Sequence, residues 1–195
     1  MRKRIGIICI SLGVICLLCS VVFLAYNRWE AENAAKSTGT LLEDVQSMIN
    51  EQNIAQDESQ TKMPTVNADG YDCIGILTIP FLDLELPVLT DWSYAKLKKA
   101  PCHYYGTYYE KDFVIAAHNY KSHFGRLSEL QAGDTVNFTD VNGATYCYEV
   151  VLLETLPKEA TKEMITGGFD LSLYTCTRGG ANRVTVRCNS VNDSN

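Results

Sequence analysis

The sequence predicts a mostly β domain, either a closed barrel or a sandwich, that follows an N-terminal transmembrane helix. Two observations support this. From about Tyr71 onward, short β-type runs alternate with turn signals and helical stretches are few. Before that point, the chain from Ile5 to Tyr26 carries no charged residue. We take the elements in chain order.

Residues 1–26 form the predicted basic tip and membrane anchor. The uncharged run is 22 residues long, and a helix of that length spans roughly 33 Å, enough to cross the hydrocarbon core of a bilayer. The basic MRKR before it places the N-terminus in the cytoplasm and the bulk of the chain outside the cell. The alternative, a cleavable signal peptide, has a shorter apolar run that ends in an A-x-A-like site, whereas this run ends in AYNRWE.

Residues 27–68 are polar and acidic and predict a stalk with one short helix lying on the domain. Ser37 or Thr38 is a candidate N-cap for that helix. A self-associating helix is the alternative, but two turns of apolar residues fall short of sustained heptads. The apolar positions at helical spacing are Leu41, Leu42, Val45, Met48 and Ile49.

Residues 69–192 are the predicted β domain. Asn142-Gly143 lies between NFTD and ATYCYEVV and indicates a hairpin. Helical stretches are expected only at 93–100, 125–130 and 157–164. The predicted strands are IGILTIP, LELPVL, FVIAAH, DTVNFTD, ATYCYEVVLLETL, LSLYTC and RVTVRC.

Charge and motif content exclude some functions. The net charge is −6 and the pI is near 5.1, which argues against a phosphate-binding surface and hence against nucleic acid. Neither G-x-x-x-x-G-K-[ST] nor G-x-G-x-x-G occurs, so nothing points to nucleotide binding.

The chain has eight cysteines, three of which lie in the apolar span. An extracellular domain permits disulfides, but five remaining cysteines is an odd number, so one thiol stays free or pairs between chains. If Cys176 is free, the other four allow three pairings, and all five could be reduced. A disulfide-stabilised, membrane-tethered binding module is therefore one hypothesis. The five are Cys73, Cys102, Cys147, Cys176 and Cys188.

The segment LSLYTCTRGGANRVTVRC predicts two strands joined by a turn of six residues. In that register Cys176 opposes Arg183 across the hairpin, with their Cβ atoms about 4.5–5.5 Å apart. Arg187 would oppose Ser172, away from the thiol, and Arg178 would point from the turn to solvent. A cation beside a cysteine stabilises its thiolate, and Arg183 could also bind a developing oxyanion.

Three histidines are candidate partners for the thiol. His118 ends the apolar strand FVIAA, where a polar side chain can meet a substrate, and His123 follows in a polar loop. His103 precedes that strand. A zinc site built from these histidines with Cys102, Cys176 and Cys188 is the weaker interpretation, since no C-x₂-C pair is present.

Three motifs in order resemble the sortase family. LSLYTC followed seven residues later by Arg183 resembles T-L-x-T-C with a downstream arginine, with Ser172 where threonine is usual. FVIAAHNYKSHFGRLSELQAGDTV resembles the segment around the catalytic histidine, with Ala117 in place of glycine. LKKAPCHYYGT resembles L-x-x-G-x-G-H-Y-x-G-T, with Ala100 and Cys102 in place of glycines.

The resemblance covers roughly residues 71–190 and implies an eight-stranded closed β-barrel with a few short helices. Sortases are cysteine transpeptidases (thiol proteases) of Gram-positive bacteria. They cleave an L-P-x-T-G-like sorting signal between Thr and Gly and join the new acyl end to an amine of a cell-wall precursor or of a pilin. The resemblance implies that Cys176 is the nucleophile, His118 the general acid/base and Arg183 the group that holds substrate and oxyanion.

The remaining roles follow from the same resemblance. Thr177, through its backbone N–H, and Thr175 are expected to serve the oxyanion and the substrate, and His103 to be structural. The loop 153–170 is expected to form part of the groove wall. No cofactor is expected, although Glu159 and Glu163 could contribute to a calcium site of the kind that some members carry.

Two further expectations concern class. Some pilin-polymerising sortases carry an Asp-Pro-aromatic lid before the domain, and this chain has no such motif before Ile74; Asp91-Trp92 lies within the domain and lacks the proline. An L,D-transpeptidase, with an S-x-G-C-x-R-like motif, is the nearest enzyme alternative. Arg178 fits that motif, but Thr175 stands where its glycine would be.

Overall fold

The computed structural model describes residues 2–52 and 63–191. The chain divides into two compact units, residues 1–33 and 34–195, which we describe separately. Predictions that concern the initial methionine, the side chains of the basic tip and of Cys9, residues 53–62 of the stalk, or the last residues of the catalytic domain fall outside what the structure describes.

The first unit lies within a single helix, α1 (Arg2–Gln52). Its apolar side chains, among them Leu12, Leu17 and Phe23, are exposed. By length and composition this helix is a candidate membrane span, as expected for an N-terminal anchor.

The second unit is a closed barrel. Eight strands follow one another around the sheet in the order β2-β3-β4-β5-β8-β9-β7-β6, and β6 pairs back with β2, with β1 added at the side of β2. The strands are β1 (Val66–Ala68), β2 (Tyr71–Ile79), β3 (Leu84–Leu89), β4 (Cys102–Tyr105), β5 (Phe113–Ala116), β6 (Thr135–Asp140), β7 (Thr145–Pro157), β8 (Leu171–Cys176) and β9 (Asn182–Ser190). The predicted eight-stranded closed barrel is thereby confirmed.

Closure depends on a glycine in β2. Gly75 pairs with Val88 of β3 on one side and Asp140 of β6 on the other. A Cβ at this position would collide with the carbonyl oxygen of Thr139, and the backbone has φ +155°. Only glycine avoids both the collision and the strain, so β6 can approach β2 closely enough to close the sheet.

The helical stretches between strands are short, as predicted. The α-helices are α2 (Tyr94–Leu97) and α3 (Thr161–Ile165), and 3-10 turns lie at Pro80–Leu82 and Leu127–Glu129. The barrel interior is filled by apolar side chains such as Leu77, Phe113, Ile115, Phe138 and Val186, all fully buried. The predicted hairpin at Asn142-Gly143 joins β6 to β7.

The C-terminal part of α1 belongs to the barrel unit. Leu41, Val45 and Ile49 are buried in a second apolar cluster that includes Val66 of β1 and Ile76 of β2. The predicted helix at this place is therefore present, but it does not begin at Ser37 or Thr38. Both residues lie inside α1, so the N-cap prediction is wrong.

Candidate active site

Cys176 and Arg183 face each other across the β8–β9 hairpin. The observed register pairs Cys176 with Arg183 and Ser172 with Arg187, as predicted from the strand pattern. The strands end at Cys176 and resume at Asn182, so the connection is one residue shorter than expected. Arg178 lies in that turn and is exposed, which gives no support to the L,D-transpeptidase interpretation.

His118 follows β5, which runs parallel to β8. Ala116 pairs with Tyr174, and the N–H of Ala117 donates to the carbonyl of Tyr174 over 3.1 Å. His118 lies two residues beyond the end of β5, and the same register carried two residues further would place it level with Cys176 at the end of β8. The barrel thus gathers His118, Cys176 and Arg183 at the ends of three adjacent strands, β5, β8 and β9.

The imidazole of His118 is held by two neighbours. Its Nδ1 lies 3.4 Å from Oδ1 of Asn119, and its ring stacks on the ring of Tyr120 with centroids 4.3 Å apart and planes 8° from parallel. A carboxamide oxygen only accepts hydrogen bonds, so this contact is a hydrogen bond in the tautomer that carries the proton on Nδ1. In that tautomer Nε2 is the basic nitrogen and can take a proton from a thiol or an amine.

Thr175 does not turn its hydroxyl to the substrate side. It is 3% exposed and donates to the carbonyl of Ala117 over 2.8 Å, which ties β8 to the segment that carries His118. Thr177 donates its backbone N–H to the carbonyl of Asn182 over 2.9 Å. The roles expected for these two residues in binding the oxyanion or substrate therefore stay predictions without geometric support, and Thr175 instead supports the site.

Arg183 is half-buried and bends toward its own turn. One of its terminal nitrogens lies 3.1 Å from the carbonyl of Gly180 and 3.1 Å from that of Asn182. A guanidinium has five N–H donors in a planar fork. Donors beyond this nitrogen therefore remain available to a substrate carbonyl beside Cys176.

Two cavities meet at Cys176. The first, which we call the apolar cavity, is bounded by Ala117, Met164, Tyr174 and the α3 loop, and it includes Cys176 and Arg183. The second, the polar cavity, includes Asn119, Lys121, Ser128, Glu129, Cys176 and Arg178 in its lining. The thiol is exposed and can be approached from both.

An aromatic wall borders the apolar cavity. Tyr174 contacts Tyr104 edge to face with centroids 5.3 Å apart, and Tyr104 packs on Trp92 at 5.6 Å. Trp92 in turn meets Tyr94 at 5.8 Å. Such a wall favours an apolar stretch of extended peptide. From the sequence, Trp92 was notable only as part of an incomplete lid motif.

The opposite wall is fixed by Arg187, which is 2% exposed. Its guanidinium lies over the ring of Phe169, 5.3 Å from the centroid. Arg187 thereby contacts the loop 153–170, which was expected to form a groove wall. Four residues of this loop line the apolar cavity: Pro157, Lys158, Ala160 and Thr161. The hydrogen-bond acceptors of the guanidinium are Glu154 Oε1, Ser172 Oγ and the carbonyls of Glu163 and Met164.

This network gives Ser172 a structural role, one that the hydroxyl of threonine, the usual residue at this place in the resembling motif, could also fill. Its hydroxyl accepts a 2.8 Å hydrogen bond from Arg187. Arg187 lies away from the thiol, as predicted. The only local signal for its partners was the predicted pairing of Arg187 with Ser172.

The two other histidines lie apart from the thiol. His103 has ring nitrogens 3.1 Å from the carbonyl of Thr90 and 2.7 Å from that of Gly106, in accord with a structural role. His123, expected in a polar loop, is fully buried. It lies in the loop after β5, as expected, and its ring packs against Tyr120 and Thr38.

The predicted metal ligands are not brought together. Across residues 2–52 and 63–191, no group of three or more His, Cys, Asp or Glu side chains could hold an ion, so the zinc interpretation has no site there. Glu159 and Glu163 are exposed, and calcium binding by them stays a prediction.

The cysteines of the barrel unit are all unpaired in the structure. Cys147 is exposed like Cys176, and the three buried thiols are Cys73, Cys102 and Cys188. Burial raises the pKa of each of these three to about 12, so they stay protonated and unreactive. The described cysteines thus give no disulfide framework for a binding module.

Comparison with known proteins identifies the family of the barrel unit. The family model of the Sortase domain matches residues 77–191. No curated protein matches the chain.

Solved structures show the same fold at low identity. A lid mutant of sortase A from Corynebacterium diphtheriae has 21% identity and a TM-score of 0.54, with 80% of this chain and 96% of that chain covered. Sortase C from Clostridium perfringens with the C-terminal cell wall sorting motif has 21% identity and a TM-score of 0.55, covering 77% and 89%. A sortase D transpeptidase from Clostridium perfringens has 17% identity and a TM-score of 0.58, covering 80% and 96%. Proteins named as three different classes match about equally well, which leaves the class open.

Proposed function

The chain belongs to the sortase family, and on that premise we propose that it is a membrane-anchored cysteine transpeptidase. It cleaves an L-P-x-T-G-like sorting signal and transfers the acyl group to an amine of a cell-wall precursor or of a pilin. The observation that carries the proposal is the register of β5, β8 and β9, which brings His118, Cys176 and Arg183 to one edge of the barrel.

In this proposal the sorting signal lies in the apolar cavity with its apolar residues against the aromatic wall. Cys176 passes its thiol proton to Nε2 of His118. Its sulfur attacks the carbonyl carbon of the scissile bond, and Arg183 donates to the oxygen as negative charge develops there. His118 then gives a proton to the departing amine, and a thioester to Cys176 remains.

The second half of the reaction reverses these roles. The acceptor amine enters through the polar cavity, loses a proton to His118 and attacks the thioester carbon. The C–S bond breaks, the new amide bond forms and the thiolate returns. The aromatic wall is expected to limit the access of water to the thioester, which favours the amine over hydrolysis.

The proposal also concerns orientation. We place the N-terminus in the cytoplasm and the barrel outside the cell, on the basis of the basic residues before the candidate span. Protease added to intact cells should then digest the barrel, whereas an N-terminal tag should be protected. Digestion of the tag instead would contradict the orientation.

The test of the activity uses the full chain in detergent. A panel of fluorogenic sorting-signal peptides is incubated with and without an amine such as triglycine, and the products are identified by mass. Wild-type protein should form the amide product, and Cys176→Ala should form none. Cys147→Ala removes the other exposed thiol of the barrel unit and should remain active. An absence of cleavage across the whole panel would refute the proposal.

A further inference from the structure

A hydrogen bond joins α1 to the loop that carries His118. Thr38 is 4% exposed and His123 is fully buried, and the hydroxyl oxygen of Thr38 lies 2.8 Å from Nε2 of His123. The hydroxyl also lies 2.5 Å from the carbonyl oxygen of Lys99 and 2.9 Å from that of Ala34. Both of these only accept, so one takes the hydroxyl proton and Thr38 accepts from Nε2–H.

This arrangement sets the state of His123. Nε2 carries the proton, and Nδ1 has no hydrogen-bond partner among the described residues. Burial, with a smaller contribution from His118, lowers the pKa of His123 to about 4, so the ring is neutral at pH 7. A neutral ring with no exposed surface cannot exchange protons with a substrate, which excludes a direct chemical role.

His123 lies one contact away from the ring that holds His118. Its ring meets Tyr120 edge to face, with centroids 5.5 Å apart and planes at 61°, and Tyr120 stacks on His118. The backbone closes the same loop: the N–H of His123 donates to Tyr120 and the N–H of Phe124 donates to His118. A shift of the His123 ring therefore displaces Tyr120 and, through it, the imidazole of His118.

A purely space-filling role accounts poorly for this arrangement. An imidazole buried with one unpaired nitrogen costs free energy that an apolar side chain of similar size would not. What the imidazole adds is a directed bond to Thr38, 85 residues earlier in the chain. The barrel unit includes residue 34 onward, so this segment of α1 is part of the framework around the site.

We propose that Thr38 and His123 are positioning residues for His118. The hydroxyl of Thr38 fixes the ring of His123, which holds Tyr120 against the imidazole that acts as acid and base. The inference rests on the proposed function, in which His118 transfers the proton. It assigns to the segment of α1 after the apolar span a role in the rate of the reaction.

The test compares three variants of the full chain in detergent with the peptide and amine assay. Thr38→Val keeps the shape but loses the hydroxyl, and Thr38→Ser keeps the hydroxyl. Thr40→Val is the matched control, because within the described part of the chain the exposed Thr40 bonds only the carbonyl of Lys36 in its own helix. We expect kcat to fall about tenfold in Thr38→Val with KM unchanged, since a misplacement of about 1 Å can cost roughly 100-fold.

The controls should behave differently. Thr38→Ser and Thr40→Val should stay within about twofold of wild type, as surface or hydroxyl-conserving changes do. If Thr38→Val does not fold, Thr38→Cys replaces it, because a thiol is a weaker donor and acceptor; a smaller loss of kcat is then expected. A Thr38 variant that folds, lacks the hydroxyl and equals Thr40→Val in kcat would overturn the inference.

A second measurement does not depend on catalysis. In protein labelled at histidine with ¹⁵N and ¹³C, the ring resonances of His118 should move in Thr38→Val and stay in place in Thr38→Ser and Thr40→Val. If wild-type protein cleaves no peptide, the proposed function fails, and these resonances alone decide the positioning role. Unchanged His118 resonances in Thr38→Val would refute it.

Discussion

Replacing Arg187 by methionine should destabilise the barrel far more than a surface change. The substitution keeps much of the aliphatic stem but removes a guanidinium that is 2% exposed. Two buried acceptors, the hydroxyl of Ser172 and the carbonyl of Met164, then lose the donor of their hydrogen bond. The substitution also leaves the carboxylate of Glu154 without its cation.

The magnitude follows from these losses. Removing one partner of a buried ion pair costs about 3–5 kcal/mol. The side chain of Glu154 is 29% exposed and can regain hydration, so the lower end, about 3 kcal/mol, applies. For a chain of this size, each kcal/mol shifts Tm by about 2–4 °C, and the expected loss is therefore about 6–12 °C.

The assay is differential scanning calorimetry of the full chain in detergent, with Arg183→Met as the matched control. Among the described residues, Arg183 bonds only the carbonyls of Gly180 and Asn182, so its loss should cost about 1 kcal/mol or less and lower Tm by at most about 2–4 °C. The two variants should then separate: Arg187→Met lowers Tm by clearly more, whereas Arg183→Met loses activity. Equal Tm values for the two would refute the account of Arg187 as the residue that holds the groove wall.

Three further predictions concern the site and its surroundings. Arg183→Ala should lower kcat by roughly 100- to 1,000-fold, the usual loss of an oxyanion donor, whereas Arg178→Ala should leave kcat almost unchanged; the reverse result in peptide cleavage would contradict the assignment. Iodoacetamide added to the folded protein should alkylate Cys176 and Cys147, which are exposed, and should leave the three buried thiols unmodified. Mass spectrometry before and after unfolding measures which thiols react. Modification of a buried thiol in the folded protein would contradict the prediction. Because the pKa of His123 lies near 4 when folded and near 6.5 when unfolded, its contribution to stability is present above pH 6.5 and is lost as the pH falls toward 4. Wild type should lose roughly 3 kcal/mol more than His123→Gln across that window in denaturant unfolding, and parallel curves would show that His123 is not buried and neutral.

Much of the fold could be predicted because its signals are local. Alternation of apolar and polar residues has a period of two in a strand, so the β8–β9 hairpin, with Cys176 opposite Arg183, could be derived from eighteen consecutive residues. The uncharged run from Ile5 to Tyr26 indicated a membrane span by length alone. The circular order of the strands came from resemblance to a family rather than from pattern, since pairings such as β2 with β6 join distant segments.

The supports of the site could not be predicted in this way. Ser172 and Arg187 share a face in the hairpin, but their partners in the α3 loop are set by how that loop folds over the barrel. His123 has polar neighbours in sequence, so nothing local indicated that it is buried or that its ring contacts Thr38, 85 residues earlier in the chain.

The sequence by itself determined the membrane-anchor candidate, the hairpin register and the residue types that could serve as nucleophile, base and cation, because each depends on a few consecutive residues or on composition. Only the tertiary structure decided which arginine holds the groove wall and that Thr38, inside α1, contacts the loop that carries His118. These contacts join side chains and carbonyls that the sequence separates by more than twenty residues, so they depend on how the loops and α1 pack against the barrel.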